Sequence, residues 1–191
     1  MKTSYLKLLL AVLFLSQSKL AEAQTDSAHI KQRAFYFVDS LQKEYALENW
    51  DHYVALTYPG VIKYFGSKEG FLENVAMQRL YLGDSILETV ESIEVKQIVE
   101  TEKSWQCVVE KIKGWNINGR KAKLFTYIVG RSADGGNTWT FFEISEGMLT
   151  NARQVMRDIS NDLLIHERRI VYEDQVEKAK KKATSKRVAR R

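Results

Sequence analysis

The spacing of apolar residues changes once along this chain, from a helical repeat to strand alternation, and that change limits the possible folds more than any motif does. Upstream, Ile30, Ala34, Phe37, Val38, Leu41 and Tyr45 recur every three or four residues, an apolar stripe that predicts a helix over about Ser27 to Glu48. Trp50, Val54 and Tyr58 predict a second, short helix, which Pro59-Gly60 ends before the brief apolar piece Val61 to Phe65. Ser67 can cap a third helix over Lys68 to Leu82, with Phe71, Val75, Leu80 and Leu82 toward the core. From Ser85 onward the residues alternate, as in Ile93, Val95, Gln97 and Val99. Four strands are expected: Val90–Glu100, Trp105–Trp115, Lys121–Arg131 and Thr138–Ser145. Asn116-Ile117-Asn118-Gly119 and Asp134-Gly135-Gly136-Asn137 supply turns between them. Helices first and strands afterwards mean an α+β fold, N-terminal helices packed on one curved antiparallel sheet. Helices and strands do not alternate, which excludes a doubly wound parallel sheet.

Hydrophobic residues make up 45% of the chain and aromatics 11%, enough to fill a core. The sequence divides into four parts. Residues 1–23 read as a signal peptide: Lys2 and Lys7 are basic, Leu8 to Leu15 is apolar, and Ala21-Glu22-Ala23 is a small-x-small cleavage site. An exported protein, periplasmic or secreted, is therefore expected. The apolar run is shorter than the roughly 20 residues a membrane-crossing helix needs, and the chain after Ala23 offers no such segment. Residues 24–147 form the domain. Residues 148–177 form an extension in which Met148, Val155, Ile159 and Leu163 allow a helix, while Leu164-Ile165 and Arg169 to Tyr172 allow extended chain. Residues 178–191 are a basic tail expected to be disordered.

The formal charge of +5 conceals an uneven distribution. The tail alone carries +8 and the leader +2, so residues 24–177 carry −5. Such a tail suits anionic surfaces through unspecific charge. It has no interleaved aromatics, which argues against a specific nucleic-acid partner.

The succession of long helix, Asn49-Trp50-Asp51, short helix, third helix and meander resembles the NTF2-like (cystatin-like, SnoaL-like) superfamily over about residues 27–146. The stretch Trp50-Asp51-His52-Tyr53-Val54-Ala55-Leu56 is similar to the aromatic-acid step that often follows the first helix there. The resemblance implies a cone-shaped domain with a pocket between sheet and helices, and homodimers formed through the sheet. It includes isomerases, dehydratases, cyclases and transport adaptors, so fold alone does not choose a role. The reading it favours is a small, partly apolar ligand in the cone. The alternatives are an isomerase, dehydratase or cyclase using a pocket carboxylate, and an envelope-associated interaction protein using the tail.

Candidate acid/base residues are Glu143, Asp51 and His52. Strand alternation puts Glu143 on the same side as Trp139 and Phe141. A carboxylate among aromatics would have a raised pKa suited to proton transfer. Asp51 and His52 are adjacent on a helix and point about 100° apart, so one substrate cannot easily meet both. Tyr53, Tyr58, Tyr81, Trp105, Tyr127, Trp139 and Phe141 are candidates for lining an apolar pocket.

Ser132-Ala133-Asp134-Gly135-Gly136-Asn137-Thr138-Trp139 fits the Asp-box pattern in full, once, and reads as a structural turn. Cys107, the only cysteine, lies between apolar residues and is expected to be buried. His29 and His166 have no ligand-like neighbours at metal spacing, and no glycine-rich loop precedes a helix. Neither a metal nor another cofactor is expected.

Overall fold

The computed structural model describes residues 27–82, 90–117, 120–144 and 148–173. The leader over 1–23 and the basic tail over 178–191 lie outside these residues. The first helix, α1, runs over residues 27–46 and turns its predicted stripe inward: Ile30, Ala34, Val38 and Leu41 are all buried. Helix α2 covers Trp50–Leu56 and stops two residues short of expectation. Thr57 turns extended there and bridges to Phe141, fixing the chain to the sheet.

Pro59, expected to break the chain, instead starts a helix. It occupies the first turn of α3 (Pro59–Tyr64), where a missing N–H costs nothing and the fixed φ is already helical. Helix α4 covers Lys68–Leu82, with Ser67 Oγ accepting the Gly70 amide at its start. Phe71 and Val75 are buried, but Leu80 is exposed. Nine residues at about 100° each put Leu80 half a turn from Phe71, on the far face.

Strands β1 (Val90–Glu100), β2 (Trp105–Ile117), β3 (Arg120–Ser132) and β4 (Thr140–Ile144) form the expected antiparallel meander. Strand β4 begins at residue 140 rather than 138, because the Asp134 carboxylate holds Thr138 in the turn. Residues 148–173 realise both alternatives read from the sequence. Met148–Val155 is α5, and Arg169–Tyr172 is β5, which pairs with the first half of β3 on the edge β4 occupies further along. The result is one curved, unclosed five-stranded sheet in an α+β fold.

Both faces of this sheet are covered. On the inner face Val95, Cys107, Val109, Ile128, Trp139 and Phe141 pack with the apolar stripe of α1. On the outer face Val108, Tyr127, Val129, Phe142 and Ile144 pack with α5 and with Met156, Ile159 and Leu163. Two buried or half-buried glutamines pin that C-terminal segment down. Gln106 donates to the Asp158 carbonyl (2.7 Å) and accepts from the Ser160 amide (2.8 Å). Gln97 does the same with the Asp162 carbonyl and the Leu164 amide. The chain's own extension thus occupies part of the face through which a homodimer was expected.

The Asp-box turn closes the β3–β4 hairpin through its own side chains. Asp134 accepts the Thr138 amide and hydroxyl as well as the Ser132 hydroxyl, and Trp139 Nε1 donates to the Gly136 carbonyl. Gly136 has φ +89°, and a Cβ there would lie 2.9 Å from Ile30, so the turn also seats the start of α1.

Candidate functional site

A hollow of about 240 Å³ lies between the inner face of the sheet and helices α1, α2 and α4. Its apolar wall comes from Leu41, Tyr53, Phe71, Val75, Ile128 and Phe141. Tyr53 and Phe71 stack with centroids 5.9 Å apart, and burial raises the Tyr53 phenol well above its usual range. Both rings are held by helices whose apolar stripes face the sheet, which is why a periodic sequence produces a wall here.

Another part of the lining is polar or charged. Alternation along β2 carries Cys107, Val109, Lys111 and Lys113 to the inner face, so two lysines follow two core residues. Thr126 on β3 is the cross-strand partner of Lys111, and Glu143 on β4 is the partner of Ile128. Lys111 is only 2% exposed and donates to Glu143 at 2.5 Å, with Gln42 of α1 at 3.4 Å. The side chain of Glu143 is crowded by protein yet 41% accessible, because it faces the hollow itself.

This corrects the expected chemistry of Glu143. Burial pushes its carboxyl up, but the charges of Lys111 and Lys113 outweigh burial and hold it below the ordinary carboxylate range. It is an ionised partner in an ion pair and not a protonated acid. The perturbed group suited to the neutral range is Lys113. Burial, then the neighbouring Lys111 charge, push its amine down to about 8, against an upward pull from Glu143. The Thr126 hydroxyl lies near enough to Glu143 to deepen the carboxylate's shift. It makes no hydrogen bond of good geometry among the described residues, although Thr126 is buried.

Of the residues read from the sequence, Tyr53, Phe141 and Glu143 meet in the hollow. The others do not. Asp51 is exposed and pairs with Lys68, and His52 lies outside beside Asn49 and Glu44, because the outer side of α2 carries both. Tyr58 packs against Phe142 at the edge of the sheet. Trp105 is half-buried against the α1 core, and Trp139 is sealed beneath the Asp-box turn, parallel to Phe141. Tyr127 points to the outer face, since its cross-strand partner is Glu110, whose carboxylate accepts its hydroxyl at 3.0 Å. The side chain of Tyr81 lies outside those described. Cys107 is fully buried and its thiol is pushed up by burial, which makes it inert packing.

A second hollow, about 480 Å³, lies on the outer face where residues 164–169 cross β1 to β3. There Lys96 pairs with Glu110, which also holds Tyr127. The inner hollow encloses a nearly inaccessible lysine paired with a carboxylate, with a second lysine beside it, and that makes it the candidate site. Among the described residues no three histidine, cysteine or acidic side chains gather as a metal site would require. No helix among them is long and apolar enough to cross a membrane.

The sequence analysis missed Lys111, Lys113, Gln42 and Arg168 as lining residues. A signal existed for the lysines. They continue the inward register of Cys107 and Val109 on a central strand, where charge is costly unless it is used. No protein-family model matches this chain, and neither a curated protein nor a solved structure matches it.

Proposed function

We propose that this is an exported NTF2-like domain that binds a small, partly apolar ligand in its inner hollow. The observation that carries the reading is the mixed lining. Leu41, Tyr53, Phe71, Val75 and Ile128 supply apolar surface, and Lys111, Lys113, Gln42 and Glu143 supply charged and polar groups beside it. Binding sites generally combine a mainly apolar lining with a few convergent polar groups. The hollow of about 240 Å³ falls below the range of roughly 300–1,000 Å³ usual for drug-sized ligands, so the ligand is small.

An isomerase, dehydratase or cyclase is the second reading, favoured by the presence of Glu143 inside the hollow. Its pairing with Lys111 weakens it as a base, and binding is therefore preferred. The test is titration of the full chain with the neutral fluorophore N-phenyl-1-naphthylamine, alongside Val75→Phe, which fills the hollow. Saturable enhancement that Val75→Phe abolishes without changing the far-ultraviolet dichroism supports the reading. Enhancement that survives in the filled variant places the dye elsewhere and removes the support.

A further inference from the structure

We propose, resting on the ligand-binding reading above, that the polar part of the inner hollow is an anion subsite. It seats the carboxylate of a small amphipathic acid against the Lys113 ammonium and the Thr126 hydroxyl. The argument begins with charge. Lys111, Lys113 and Arg168 line the hollow, and Glu143 is the one acid among the described residues that line it. Lys111 engages that acid at 2.5 Å, leaving Lys113 and Arg168 without a carboxylate partner among the described residues. A positive excess enclosed by apolar walls is costly unless an anion arrives to share it.

Hydrogen bonding points the same way. The Thr126 hydroxyl is buried, lines the hollow beside Glu143 and makes no hydrogen bond of good geometry among the described residues. A buried hydroxyl left unsatisfied marks a place where a polar atom of another molecule fits. Thr126 and Lys113 stand on adjacent strands, Thr126 opposite Lys111 and Leu124 opposite Lys113, so one carboxylate can reach both. Beyond that head, Phe71, Val75 and the Tyr53 ring offer apolar surface to a tail. The lowered pKa of Lys113 agrees with a local excess of positive charge: burial, Lys111 and Arg168 all press its proton off, against an upward pull from Glu143. Charged or titratable groups facing Lys113 are Lys111 from β2, Glu143 from β4, Arg168 before β5, and the phenols of Tyr45 and Tyr53 from the helices.

The test compares octanoate with octan-1-ol, equal in tail and different in head, by calorimetric titration of the full chain. Octanoate is expected to bind about tenfold more tightly near neutral pH, the value of one charge-assisted hydrogen bond. That advantage should vanish at roughly pH 9.5, where Lys113 is neutral, and in Lys113→Met. Thr126→Val should reduce octanoate affinity several-fold. Octan-1-ol should be indifferent to pH and to both substitutions, and Lys113→Gln serves if the methionine variant does not fold. Equal affinities for the two compounds, with octan-1-ol still saturable, overturn the anion subsite and leave the ligand-binding reading standing. Failure of both compounds to bind removes that reading and the subsite with it.

Discussion

Lys111 is a nearly inaccessible lysine paired with one carboxylate, and the energetics of that pair are asymmetric. Removing Glu143 strands the ammonium, so Glu143→Ala should lower stability by about 3 kcal/mol in urea denaturation. Replacing both partners, as Lys111→Met with Glu143→Leu, should cost far less than the single change, because no unpaired charge remains. A double variant as unstable as the single one would mean that the pair does not govern this end of the fold. Lys113 supplies a pH signature. Its amine titrates at about 8 when folded and at 10.5 in an unfolded chain, so the unfolded state holds more protons between these values. Stability should therefore rise with pH across that window, and Lys113→Met should remove the rise. Asp134 works in the opposite range. Hydrogen bonds from Thr138 hold its carboxyl down to about 2, so its contribution is complete above the ordinary value of 3.8 and is lost as pH falls toward 2. Asp134→Ala should cost about 1–2 kcal/mol at neutral pH and flatten the acid limb of the stability curve.

At the level of elements, the boundaries legible in the sequence were those set by repeating patterns. Helix α4 and strand β1 fall where they are expected, α4 opening at its Ser67 cap and β1 following the alternation around Val95. Pro59 was misread because a proline looks the same whether it ends one helix or opens the next. Only the bridge from Thr57 to Phe141 decides between the two. The C-terminal segment was ambiguous for a different reason. Its placement depends on Gln97 and Gln106, polar residues on strands, whose amides satisfy the backbone of a loop more than fifty residues away. No local pattern announces such a contact. It is testable: Gln106→Leu leaves the Asp158 carbonyl and the Ser160 amide unpaired beneath the segment, which should cost about 2–3 kcal/mol. Amide exchange at Ser160 should then accelerate while exchange at Ile128 on the inner face follows only the global loss. Uniform acceleration would show that the segment is not an element held by this residue.

On the scale of the whole molecule, the order of helices before sheet and three residues of the site could be read in advance, while the chemistry of the site could not. Tyr53, Phe141 and Glu143 were legible because alternation and helical spacing point them inward. The role of Glu143 was not, since its pKa depends on Lys111 and Lys113 across two strand pairings. The molecule that results has a sheet covered on both sides. Its outer face is closed by the chain's own extension, and its inner face keeps a hollow that helices α1, α2 and α4 enclose. If the hollow is where a ligand goes, the most direct measurement is amide and methyl chemical-shift mapping of the full chain titrated with octan-1-ol. Saturating shifts at Tyr53, Phe71, Val75, Ile128 and Phe141, with Val108, Ile159 and His166 unmoved, are the predicted result. Shifts gathered at Tyr127 and His166 on the outer face, or none at saturation, would contradict it.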